Sequence, residues 1–277
     1  VPPTLSIGSA RLFFDGIADP AFRNPEGIAV AADGSIWCGT STGWVYRIEP
    51  DGSSARRVAS TEGFVLGIDF DRAGNLYACD LLRATLLRLP AGGDVFEPFA
   101  KPVDGPIRIP NVVVVDDERG VAYVSDSHGA HDPGPGVWRF DLATGDGGLW
   151  YTGDLDFANG MTLSADRSAI LVAESWGRRV TRLPIGPDGS AGAAEVVLTV
   201  GDDVVIDGLA LDRDGALLLL CYAPSCVCRH RSDGGLELVI DDPDHEILCH
   251  PTNGVVRGGS LYTTNLGRWH ITEVPLP

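Results

Sequence analysis

The stretch Gly27-Ile-Ala-Val-Ala-Ala-Asp-Gly-Ser-Ile-Trp37 decides the fold. An apolar alternation, an Asp-Gly turn and a second apolar run describe two short strands joined tightly. The phrase returns as Gly67-Ile-Asp-Phe-Asp-Arg-Ala-Gly-Asn-Leu-Tyr77 and as Val112-Val-Val-Val-Asp-Asp-Glu-Arg-Gly-Val-Ala-Tyr123. It appears again from Gly160 to Leu171, from Gly208 to Leu218 and from Gly254 to Tyr262. A third strand follows each copy, as at Trp44–Ile48, Thr85–Leu89 and Arg179–Leu183. Six copies in 277 residues leave about 46 residues for each, the length of a four-stranded propeller blade.

The sixth copy ends after its third strand, whereas Ala10-Arg-Leu-Phe-Phe14 precedes the first copy without a blade of its own. Pairing the two removes two open sheet edges. The expected fold is therefore all-β, a six-bladed β-propeller of four-stranded blades. The N-terminal strand completes the last blade, and residues 1–277 form one domain. The 35 glycines and 19 prolines suit a turn-rich chain, and no apolar run reaches the length of a membrane-spanning helix. A formal charge of −17 repels phosphate backbones, so nucleic acid and membranes are not expected partners. The six cysteines form no CxxC pair and read as reduced core residues of a cytoplasmic protein; no charged-then-apolar leader is visible at the start.

In a propeller the residue ahead of each repeat stands at one mouth of the axial channel. Those residues are Glu26, Leu66, Asn111, Asn159, Asp207 and Asn253. Five of the six carry oxygen. Two carboxylates among carboxamides repel one another and lose solvation unless a cation sits between them. A hard divalent ion fits such a shell: Ca2+ first, with Mg2+, Mn2+, Zn2+ or Fe2+ also compatible. A turn role for Asn or Asp before Gly is the plainer alternative at any single copy. Loops opening on the same face add Asp80, Asp126, Ser127, His128, Glu174, Trp176, Tyr222 and Asn265. Arg108, and Asp244-His245-Glu246 with His250, lie in longer connections that can arch over the mouth. His128 or Glu246 is placed to carry a proton, and Arg108, Trp176, Tyr222 and Glu246 to touch substrate.

The segments Asn24–Val30 (NPEGIAV), Phe157–Leu183 and Ile206–Gly215 resemble the senescence marker protein/gluconolactonase/luciferin-regenerating enzyme family, also called regucalcin-like. The middle segment is equally similar to strictosidine-synthase-like propellers. The resemblance implies one catalytic divalent metal in the channel, held by Glu26, Asn159 and Asp207, with Asn111 beside it contacting substrate or water. Many members carry Arg two residues before that Asn; here the position is Ile109, and Arg108 is one further off. The activity it implies is opening of a lactone or related ester, the cation polarising the carbonyl and activating water, Asp207 or a neighbour such as His128 taking the proton, and Asn111 orienting the substrate. The alternatives are a metal-independent condensing enzyme of the strictosidine-synthase-like kind and a non-enzymatic ligand-binding propeller.

Overall fold

Each Asp-Gly turn closes a hairpin between the two innermost strands of a blade. At the first, Gly34 has φ +82°, and Asp33 Oδ1 accepts from both the backbone N–H and the hydroxyl of Ser35. The left-handed backbone is what calls for glycine there. In the fourth copy Arg167 occupies that conformation, and Asp166 holds the turn through Ser164 and Ser168.

In a computed structural model describing residues 2–231 and 233–277, these hairpins build six sheets around one axis. The inner strands are Pro25–Val30, Val65–Phe70, Pro110–Asp116, Ala158–Leu163, Val205–Leu211 and Pro251–Arg257. Each inner strand touches the next, and the sixth touches the first, so the ring closes. Blade six is made of Pro251–Arg257, Ser260–Asn265, His270–Pro275 and, outermost, Arg11–Asp15. The N-terminal strand thus pairs antiparallel with the C-terminal one, as the repeat count requires, with a bulge between Leu12 and Phe14. Blade three exceeds the expectation: Lys101–Pro102 adds a fifth strand, parallel to Asp146–Leu155. No helix among the described residues is long and apolar enough to cross a membrane.

The core lies between blades rather than at a single centre. Val45 and Ala59 of blade one pack with Ile68 and Leu76 of blade two; Leu171 and Val180 of blade four pack with Ile206 and Leu219 of blade five. Strand alternation sends one face of every blade to each neighbour, which explains why the strands are apolar almost throughout. At the closing seam Phe13 meets Tyr262 edge-on, with ring centroids 4.8 Å apart. Deleting residues 1–16 strips that contact and exposes the His270–Pro275 edge. The shortened chain is expected to melt on the order of 10 °C lower, with a broader transition, by circular dichroism.

Candidate metal and substrate cavity

The inner strands share one irregularity. In each, the register slips at the second or third residue, between Pro25 and Ile28, Val65 and Ile68, Pro110 and Val113, Ala158 and Met161, Ile206 and Gly208, and Pro251 and Gly254. In blades one to four the residues skipped are the one read as axial and the one after it, and in blade five Asp207 alone is skipped. In blade six they are Thr252 and Asn253, so Thr252, and not Asn253 as the sequence suggested, holds the axial place. A bulge turns a side chain out of the alternation. Here it aims Glu26, Asn111, Asn159 and Asp207 into one cavity of about 500 Å³ at the end of the channel.

The following residue explains the Glu-Gly, Asn-Gly and Asp-Gly pairs. A Cβ on Gly27 would stand 2.2 Å from Leu66 O, one on Gly160 2.4 Å from Asp207 O, and one on Gly208 2.1 Å from Thr252 O. None of these three glycines has positive φ. Glycine is needed because neighbouring blades touch through backbone at the axis, not because the chain turns.

Hydroxyls orient the carboxamides. Asn111 Nδ2 donates to Ser127 Oγ at 3.0 Å, and Ser127 Oγ donates to Ala158 O at 2.7 Å. One blade further on, Asn159 Nδ2 donates to Ser175 Oγ at 3.1 Å, and Ser175 Oγ donates to Ile206 O at 2.7 Å. Each serine proton is committed to a carbonyl, so the serine accepts from the amide N–H and the amide orientation follows. The Oδ1 of Asn159 is left buried without a partner. An unpaired buried acceptor costs roughly 1–3 kcal/mol, which a cation would recover.

The carboxylates tell the same story. Burial, and then the charge of Asp207, push Glu26 well above the usual carboxylate range, against hydrogen bonds from Thr252 and Asn253. Burial raises Asp207 to about 7, opposed by a hydrogen bond from Asn159. Two acids that resist ionising side by side, beside an unsatisfied carbonyl-type oxygen, fit a hard divalent ion. Glu26, Asn159 and Asp207 are the residues that would hold it.

The walls are apolar. Phe64, Leu66, Leu81, Ile109, Phe157 and Leu266 surround the oxygens. Most of these were not anticipated: Phe64, Ile109 and Phe157 stand two residues before an axial position, each one residue ahead of its strand, and Phe157 has φ +62°. Asn24 lies in the same register; its Nδ2 donates to Leu266 O at 2.8 Å, clamping blade six to blade one at the rim.

Other anticipated residues lie around this cavity rather than in it. Asn253 bonds across to Glu26 and lines a separate chamber of about 330 Å³ further along the channel. Asp126 accepts from the backbone N–H groups of Arg108 and Ile109 at 2.9 and 2.8 Å. Glu174 accepts from Asp156 N at 2.8 Å, and Asn265 from Cys249 N at 3.0 Å. These side chains brace the loops entering the inner strands. Asp80 likewise accepts from Arg83 N. His128 has both ring nitrogens engaged, Nε2 with Pro135 O at 2.9 Å and Nδ1 with Arg108 at 3.3 Å. Arg108 also pairs with Asp132 at 3.1 Å. Trp176 packs edge-on behind Phe157, with centroids 6.2 Å apart, and Arg178 lies over it. Glu246 is exposed. Tyr222 is near enough for Asp207 and Glu26, after burial, to raise its phenol, and it stacks on His250 at 4.4 Å.

The sequence profile of the SMP-30/gluconolactonase/LRE-like region matches residues 59–265. The chain belongs to that family. A strictosidine synthase-like N-terminal profile matches residues 15–48. Among curated relatives, the protein STRICTOSIDINE SYNTHASE-LIKE 10 of Arabidopsis thaliana is 30% identical over 188 residues, covering 60% of this chain and 49% of its own length. STRICTOSIDINE SYNTHASE-LIKE 6 of the same plant is 29% identical over 212 residues, covering 70% and 55%. The chain spans about half the length of these relatives. Among solved structures, a gluconolactonase from Xanthomonas campestris superposes with TM-score 0.76 at 21% identity, over 96% of this chain and 88% of that one. A calcium-binding regucalcin from Agrobacterium tumefaciens superposes with TM-score 0.75 at 16% identity, over 91% and 90%. At such identities the structural likeness concerns the propeller itself, which this family member shares.

Proposed function

We propose that this family member is a divalent-metal-dependent hydrolase that opens a lactone or a related small ester in the axial cavity. One observation carries the reading: two acids and an unpartnered amide oxygen meet on the floor of an open, apolar-walled cavity. The gluconolactonase and regucalcin among its structural neighbours and the family profile support it.

A divalent cation held by Glu26, Asn159 and Asp207 would supply Lewis-acid polarisation of a carbonyl and a more acidic water. The chain's own side chains supply the rest. Phe64, Leu81, Phe157 and Leu266 take up the substrate's carbon skeleton and exclude bulk water, which strengthens every polar contact inside. Asn111, fixed through Ser127, keeps its Oδ1 for a water or a substrate hydroxyl. Asp207 faces the cavity and takes the proton released as water adds to the carbonyl. The proton then passes to the departing alkoxide, giving a hydroxy acid. Ile109 sets an apolar wall where many family members carry Arg, so this chain should favour lactones with fewer hydroxyls than a sugar lactone.

A panel of aliphatic, aromatic and sugar lactones, run on chelator-stripped protein with each divalent ion restored in turn, tests the reading. Stripping should lower turnover by at least about a hundredfold, with recovery on adding an ion. Turnover indifferent to chelation would overturn it and favour condensing chemistry of the strictosidine synthase-like kind.

A further inference from the structure

We infer that His245, Cys249 and His250 form a second cation site, built for a borderline transition-metal ion such as Zn2+, beside the mouth of the axial cavity. One ligating atom from each of the three lies within 4.8 Å of the others. Three donors on one ion at about 2.0–2.3 Å stand roughly 3.5–4 Å apart, so small side-chain rotations close the set. The site is independent of the hydrolase reading, since it shares no residue with Glu26, Asn159 and Asp207.

The loop carrying these donors is held on several sides. Asp242 Oδ2 accepts from Ile247 N at 2.6 Å and Leu248 N at 2.8 Å. Cys249 N donates to Asn265 Oδ1, and His250 N donates to Ser225 Oγ at 2.9 Å. His250 Nδ1 lies 2.8 Å from Tyr222 O. A carbonyl only accepts, so this nitrogen carries the proton and Nε2 keeps its lone pair for a metal. Histidine ligands characteristically have their other nitrogen tied in this way. His245 Nδ1 meets Ser225 Oγ at 2.9 Å, which accommodates the same tautomer. Neither Nε2 has a hydrogen-bond partner among the described residues.

Space is kept beside the donors. A Cβ on Gly267 would stand 2.5 Å from Cys249 Sγ and 2.9 Å from His250 Cδ2. Cys249 is 7% exposed, while the two imidazoles are half-buried, so the set is shielded yet reachable. Two nitrogens and a sulfur disfavour Ca2+ and Mg2+ and suit Zn2+, Co2+ or Cu2+. Binding releases the Cys249 thiol proton and leaves both imidazoles neutral. With three protein donors, a tetrahedral ion keeps a fourth position for water or a ligand. The neighbouring Tyr222, stacked on His250, links this position to the cavity mouth. One face of the propeller would therefore sort a hard ion to the axis and a borderline ion to the rim.

Reduced protein freed of metals and titrated anaerobically with Co2+ provides the test, because thiolate–Co2+ charge transfer reports sulfur ligation without any substrate. A single Co2+ should produce that band in the unaltered chain. Cys249→Ser should abolish the band, and His250→Ala should weaken binding at least about tenfold. Gly267→Ala should also weaken it by filling the space, although it removes no donor. Glu26→Gln and Cys226→Ser should leave the band intact, with melting curves confirming that each variant folds. The proposal is overturned if no band appears in the unaltered chain. It is equally overturned if the band survives Cys249→Ser and disappears in Cys226→Ser, which would give the ion to the deeper cluster of Cys221, Cys226 and Cys228.

Discussion

Asp207→Asn is expected to cost at least about a hundredfold in divalent-cation affinity at the axis, and lactone hydrolysis with it. The same substitution should make the metal-free protein more stable at alkaline pH, and the opposite signs are the informative part. In the metal-free fold Asp207 titrates at about 7, against about 3.9 in an unfolded chain. Between those values the native state binds a proton that the unfolded state has released. Stability from this group is complete below about pH 4 and is lost as pH rises through about 7. Glu26, also raised, contributes with the same sign. Metal-free wild-type protein should therefore be less stable at pH 8 than at pH 5 by roughly 2–4 kcal/mol. The amide introduced by Asp207→Asn carries no charge to desolvate, so the difference shrinks. Added cation should restore the wild type at pH 8 and leave Asp207→Asn unmoved. Calorimetric melts at the two pH values, with and without Ca2+, measure all of this. A metal-free wild type whose stability rises from pH 5 to 8 would contradict the burial of the pair.

Gly208→Ala should destabilise the propeller by about 3 kcal/mol or more. The added methyl would stand 2.1 Å from Thr252 O and 3.1 Å from Asn253 Cα, both backbone atoms of the next inner strand. A rotamer change cannot relieve a clash with main chain, so blades five and six must part. The neighbouring Asp207 would move with them, and cation affinity should fall even though no ligand is lost. Gly8→Ala, where nothing lies within 4 Å of the added carbon, is the control and should stay within about 0.5 kcal/mol of wild type. Urea unfolding of both variants provides the comparison. Equal midpoints would mean that the glycines after the axial residues are not contact points between blades.

The repeat was legible because the hairpin signals are local: an Asp-Gly turn between apolar runs needs no knowledge of the neighbours. Closure of the ring was legible by counting strands, since Arg11–Asp15 had no other edge to cover. The fifth strand of blade three was not, because a two-residue pairing such as Lys101–Pro102 carries no periodic signal. At the axis, Glu26, Asn111, Asn159 and Asp207 could be found by register alone, as the slip falls on the axial residue in each of the first five copies. Asn253 was placed one residue out of register: the slip in blade six puts Thr252 at the axial place and Asn253 after it, where it bonds to Glu26, a shift that the Asn-Gly pair hides in the sequence. The bracing roles of Asp126 and Glu174 were hidden for a similar reason. A buried carboxylate beside a mouth looks the same in sequence whether it meets substrate or caps the N–H groups of an entering loop. The apolar wall was not visible: Phe64 and Phe157 stand one residue ahead of their strands and Leu81 and Leu266 in loops that follow strands, so alternation determines none of them.

An anomalous-difference map from a crystal soaked in Mn2+ tests the central claim most directly. A single strong peak should lie on the cavity floor, about 2.0–2.6 Å from oxygens of Glu26, Asn159 and Asp207. A cavity holding only water, with those oxygens hydrogen-bonded to one another and no peak among them, would contradict it.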